Sequence, residues 1–184
     1  MALKKILFLL ALATIYWRPV YCQQRATKIK LSRRQKHLLR RIAKYNKVEG
    51  QNVGRIAIYS EQYARFDSLR RISSAEEMLS FTHYHSPVVK AYAFGALLDS
   101  KEITNAFNIL QANFQDTTAF QHQFGCIRGA HTIGYYMYYK LILAIKKQGL
   151  VLIPEQEVLL REIYEKLPGY EMEEKIIARQ IKFD

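Results

Sequence analysis

Cysteine is nearly absent from this chain of 184 residues: only Cys22 and Cys126 occur. Two cysteines are too few for a disulfide scaffold or a cysteine-based zinc framework. Glycine and proline are sparse, at 8 and 4 residues, which excludes collagen-like and Gly/Ser low-complexity chains. With 49% apolar, 24% charged and 12% aromatic residues, the chain is too hydrophobic to be wholly disordered. It is also long enough to close one core without metal or disulfide staples. No uninterrupted apolar run reaches the roughly 20 residues that a membrane-spanning helix needs. Catalytic signatures are missing too. There is no Ser elbow, P-loop, Gly-rich nucleotide turn or HExxH motif.

The longest apolar run, Ile6 to Trp17, follows Lys4 and Lys5 and gives way to a polar chain. A basic start, a short apolar stretch and a polar continuation form the layout of a secretory signal peptide, expected over residues 1–22. Cleavage after Cys22 puts Val20 and Cys22 at the two positions that favour small side chains. The alternatives are a retained N-terminal anchor helix and lipid attachment at Cys22, although Tyr21 is larger than the residue that normally precedes a lipidated cysteine. The chain is thus expected to be exported, periplasmic or extracellular, with no transmembrane span in its mature form. Removal of the leader leaves Cys126 alone, so no intramolecular disulfide is expected.

Acidic residues are missing from one stretch altogether. The formal net charge is +12, yet from Glu49 to Asp184 the chain holds 15 basic and 16 acidic residues. Ten basic residues and no acidic one lie in residues 25–48. Within that stretch Leu31, Leu38, Leu39, Ile42 and Tyr45 recur at spacings of three, four and seven, the period of a helix with a narrow apolar stripe. Ser32 is placed to cap its start. Residues 23–48 therefore read as a basic amphipathic arm, ahead of an all-helical domain over 49–184. A cationic cylinder suits a polyanionic partner, a membrane surface or an acidic protein face; export and the lack of any nucleic-acid-binding motif argue against nucleic acid. Arg33, Arg34, Lys36, Arg40, Arg41 and Lys44 are the expected partner-binding residues. The plainer alternative is a first helix docked on the body by its stripe, its charges merely solvated.

Downstream, helical punctuation dominates and no Asn-Gly or Asp-Gly hairpin signal occurs between alternating apolar runs. Over residues 53–72, Ile56, Tyr59, Tyr63, Phe66 and Leu69 step at three or four and predict one helix with a buried face. Ser73 or Ser74 with Glu76 and Glu77 predicts a capped short helix, and His83 to His85 a turn. Ser86-Pro87 predicts a helix start, proline being harmless at the first helical position. Ser100 and Asp116 are read as caps of two further helices, the second carrying Ala119, Phe120 and Phe124 towards Gly125-Cys126-Ile127. Tyr135 to Lys147 is apolar nearly all round and predicts a central buried helix. Pro154 predicts the start of another, ended by Pro168-Gly169, and Tyr170 to Lys182 a last amphipathic one. The sum is an all-α fold of about eight helices.

The segment Ser86-Pro87-Val88-Val89-Lys90-Ala91-Tyr92-Ala93-Phe94-Gly95-Ala96-Leu97 resembles the second helix of a HEAT repeat, through Pro87, Val89, Lys90, Ala93, Ala96 and Leu97. A weaker echo begins at Asp116. The stretch from Tyr63 to Ile127 is similar to exported HEAT-like proteins of the Bacteroidetes, in which an acidic capped helix precedes the Pro-Val-Val segment and a Gly-Cys-Ile follows. The resemblance implies a short array of helical hairpins with flanking helices as caps. It implies recognition of another protein rather than a particular chemistry.

Side chains able to ligate or react are few. His83 and His85 form an incomplete pair in a turn. His122 and Cys126 stand four apart, so a continuous helix would put both on one face with His131 a turn or so beyond. A zinc site wants three or four convergent ligands, and no fourth is evident. The expectation is accordingly a non-catalytic, exported binding or scaffold module, without cofactor, metal or catalytic residues, recognising a protein or an anionic envelope surface. The alternative is a metal- or thiol-dependent hydrolase using His122, Cys126 and His131. A third reading is a purely structural filler domain.

Overall fold

The computed structural model describes residues 29–167, and the elements below are those of that range. The chain opens on helix α1 (Arg33–Tyr45), followed by strand β1 (Lys47–Val53) and the short strand β2 (Ile58–Tyr59). Four helices follow: α2 (Glu61–Arg71), α3 (Ala75–Phe81), α4 (Pro87–Asp99) and α5 (Ile103–Asn113). Strands β3 (Ala119–Gly125) and β4 (Ile127–Thr132) lead into α6 (Ile133–Gln148) and α7 (Pro154–Lys166).

The all-α expectation is therefore overturned, and with it the simple array of helical hairpins. The described residues form seven helices and a four-stranded mixed sheet in the order β2-β1-β3-β4. Strands β1 and β3 pair in parallel, with Lys47 opposite Gln121 and Glu49 opposite Gln123; both outer pairs are antiparallel. A parallel pair cannot be joined by a tight turn, and here α2 to α5 form the connection.

Two stretches read as helical supply β2 and β3. Over 53–72 only Glu61–Arg71 is helical. Ser60 caps it by accepting from the Tyr63 amide, so Ile56 and Tyr59 fall in the preceding hairpin, 81% and 50% exposed. Asp116 caps no helix. Its Oδ1 accepts from the Thr118 amide at 2.9 Å, a local turn that launches β3, while its Oδ2 pairs with Lys90 Nζ at 2.8 Å. Ser100 closes α4 rather than opening α5.

Several helix starts hold as expected. Ser32 and Gln35 form a reciprocal capping box on α1, and Ser74 and Glu77 another on α3. Pro87 and Pro154 begin α4 and α7. The proposed leader and the last amphipathic helix, Tyr170 to Lys182, lie outside the described residues.

The core is centred on α4, which is buried on nearly every side and touches α1, α3, α5, α6, β1 and β3. Its small residues Ala91, Ala93 and Ala96 permit those close approaches, with Phe94 and Leu97 filling the spaces between. Helix α6 is the second buried element, through Tyr135, Met137, Tyr138 and Leu141. Helix α1 lies on α2 and α4 by Leu39 and Ile42, each 1% exposed, and belongs to the compact unit that begins at Leu31.

Candidate functional site

Two features of the surface carry concentrated chemistry. The first is the β3–β4 hairpin where it leans on α6. Antiparallel pairing places Phe120 opposite His131, His122 opposite Gly129 and Phe124 opposite Ile127. Paired and alternate residues share a face, so Phe120, His122, Phe124 and His131 all project to one side of the hairpin. His122 and His131 sit diagonally on that face. Their rings stack with centroids 4.2 Å apart and planes 3° from parallel. Gly129 makes room for this arrangement, since a Cβ there would lie 2.8 Å from His122 Cε1.

Aromatic rings hold the pair on both sides. Phe124 lies 5.5 Å from His122, and Tyr135 5.1 Å from His131. Lys140, one turn on from Tyr136 along α6, places its ammonium 4.6 Å from the Phe124 ring centre and 5.5 Å from that of Tyr136. Burial and then the Lys140 charge hold the His122 imidazole below its ordinary range. Burial, His122 and Lys140, in that order, bring His131 down to about 4, so both rings are neutral at pH 7. Lys140 is itself lowered by burial, partly offset by Asp99.

Between the hairpin and α6 opens a cleft of about 460 Å³, reached by both imidazoles, Phe124, Tyr136, Lys140 and Arg128. No carboxylate lines it. His122 is 6% exposed, and the Nδ1 atoms of both histidines are buried without a hydrogen-bond partner among the described residues.

The trio of the hydrolase alternative is thus brought into one hairpin and split. His122 and His131 meet across it, on strands rather than on a helix face. Cys126 sits exposed in the two-residue turn, beside Gly125 at φ 58°. It makes no hydrogen bond to either imidazole, and no group of three His, Cys, Asp or Glu side chains able to hold a metal ion occurs among the described residues. His83 and His85 are exposed in the turn before α4.

The second feature is the outer side of α1. Arg33, Arg34, Lys36, Arg40, Arg41 and Lys44 are all exposed, opposite the buried Gln35, Leu39 and Ile42. None of the six has an ion-pair partner among the described residues, whereas Arg65, Arg70 and Arg71 of α2 are paired with Glu61 and Asp67. Gln35 anchors the helix from below, donating to Glu77 Oε2 at 2.7 Å and to the Ile72 carbonyl at 3.3 Å. The six cations lie along a helix of about 20 Å whose orientation is fixed by packing.

No family model, curated protein or solved structure matches this chain. Among the described residues, no helix is long and apolar enough to cross a membrane.

Sequence reasoning named the six cations and both histidines. It missed Gly129, Phe124 as a cation-binding ring, Tyr136 and above all Lys140. The available signal was the alternation Phe120-Gln121-His122-Gln123-Phe124 ahead of Gly125-Cys126. This is a period-two strand followed by a turn with glycine in its first central position.

Proposed function

We propose that this chain is an exported, non-catalytic binding module that recognises an anionic surface through the outer side of α1. One observation carries the reading: six cations without acidic partners among the described residues, on a helix whose other side is locked into the core. Like charges three and four residues apart on a helix destabilise it, by about 0.2–0.5 kcal/mol per pair. Lys36, Arg40 and Lys44 form such a row at successive spacings of four. A merely solvated face has no need of uniform sign, since Lys/Glu alternation keeps a helix equally soluble and more stable. Docking of the inner face adds preorganisation, because the charges reach a partner without the cost of folding a disordered arm.

Vesicles of anionic phospholipid provide the test. The full chain is expected to co-sediment with them at about 0.05 M salt and to dissociate at about 0.5 M, where charges are screened over only a few ångströms. A variant with all six cations changed to Gln is expected to lose binding while melting no lower than the parent, since Gln keeps helix propensity and removes repulsion. Binding that survives both the six substitutions and high salt would overturn the proposal.

A further inference from the structure

The hairpin cleft is chemically distinct from the α1 surface and calls for a different kind of ligand. Its volume of about 460 Å³ falls in the range of small-molecule sites, roughly 300–1,000 Å³. Rings line much of it beside Ile127 and Leu143; its charged groups, Lys140 and Arg128, are both basic, and no carboxylate lines it. Lys140 has no ion-pair partner among the described residues; its ammonium rests on the faces of Phe124 and Tyr136. A ring face attracts a cation through its quadrupole but leaves the N–H donors of that cation unfilled. Beside it, His122 is almost wholly buried with an unpartnered Nδ1, and such groups in native proteins are uncommon enough to call for a reason.

We infer that this cleft binds a small aromatic carboxylate, its carboxylate received by Lys140 and its ring laid against the Phe124, Tyr136 and His122–His131 walls. A single negative charge matches one desolvated ammonium. The two imidazoles, held neutral, add ring surface without adding charge. A phosphate dianion would instead be expected beside several cations or a nest of backbone amides, and among the lining residues only Arg128 joins Lys140 as a cation. An aliphatic acid would fill the volume but forgo the stacking that four flat walls offer.

The test uses the full chain, indole-3-acetate as probe, and the imidazole Cε1–H resonances of His122 and His131 as reporters. Saturable shifts of both are expected. The neutral isostere indole-3-acetamide, decanoate and inorganic phosphate are each expected to bind at least about tenfold more weakly. Lys140→Met is expected to weaken indole-3-acetate by the same factor while keeping the melting temperature, since a thioether packs on the same rings without a charge to desolvate. A Lys140→Met chain that fails to fold is replaced by Lys140→Gln. The inference is overturned if indole-3-acetate gives no saturable shift, if the amide binds as well as the acid, if phosphate or decanoate binds more tightly, or if removing the Lys140 charge leaves affinity unchanged.

Discussion

Glu49 is a buried carboxylate in a strand, and its neighbours are arranged to keep it charged. Burial alone would raise its pKa. Hydrogen bonds from Ser60 Oγ at 2.6 Å, Lys47 Nζ and Tyr45 Oη outweigh that and hold it below the usual carboxylate range. The Tyr92 hydroxyl meets the backbone of the same residue, accepting from the Glu49 amide at 2.7 Å. His131 is the converse case: the fold favours its neutral form, so its folded value of about 4 lies below the ordinary 6.5. Both shifts are depressions, and both contributions are complete only above the unfolded pKa. The His131 contribution, on the order of 2 kcal/mol after discounting for partial exposure, is lost as pH falls from about 6.5 towards 4. That of Glu49 goes below about 4.5. Urea unfolding between pH 7 and pH 3 is expected to show stability falling in those two windows. His131→Phe should reduce the first without abolishing it, because His122 is depressed as well. Glu49→Gln should reduce the second, to which the depressed Asp67 and Asp116 also contribute, and cost about 1–3 kcal/mol at neutral pH, because the donors around it lose their charged acceptor. Retention of the full slope between pH 6.5 and 4 in His131→Phe would show that His131 is not its source.

At the scale of the element, the β3–β4 hairpin and the start of α6 depend on two glycines for different reasons. Gly134 lies where the chain turns from strand to helix, its amide donating to the Asp116 carbonyl at 3.0 Å; a Cβ there would collide with the Phe114 carbonyl. A backbone oxygen cannot swing away as a side chain can. At Gly129 the obstacle is the His122 ring, held by its stack on His131. Gly134→Ala is expected to cost at least 3 kcal/mol, roughly the upper end for overpacking, and Gly129→Ala about 1–2 kcal/mol with loss of the imidazole ring-current pattern. Chemical denaturation with proton spectra separates the two; equal costs would contradict the assignment. Legibility differed sharply between elements. Capping residues are local, so Ser32, Ser74, Pro87 and Pro154 could be read directly. The strand β1 could not, because Glu49, Gly50, Gln51 and Asn52 have little strand propensity of their own. Its conformation is fixed by pairing with β3, seventy residues away in the chain.

For the molecule as a whole, the decisive fact is that α1 belongs to the core. Leu39 and Ile42 pack against α2 and α4, and the amide of Gln62 donates to both the Ile42 and Lys47 carbonyls at 3.1 Å, tying α2 to the end of α1 and the start of β1. Helix α1 is a wall of the compact unit that begins at Leu31. Ile42→Ala is accordingly expected to destabilise the whole chain by about 2–5 kcal/mol, a large part of a typical domain's stability, with helix α1 and the sheet lost in one transition. Circular dichroism and tyrosine fluorescence during urea unfolding check this; an early, separate loss of helix alone would restore the detachable arm. For the same reason charge substitutions on α1 are the sound way to test its partner, whereas deletion would remove part of the core.

What is local or compositional is written along the chain: the helix starts, the segregation of positive charge into residues 25–48, the burial of α6, and the shortage of metal-ligating and reactive side chains. Six exposed cations could be named because a helical period and a run without acids are written in neighbouring residues. The sheet, the stacking of His122 on His131 and the arrival of Lys140 beside them emerge from the folded arrangement alone. These outcomes rest on contacts between segments far apart in the chain. Their free energy comes from parallel pairing and ring packing, which no window of neighbouring residues records.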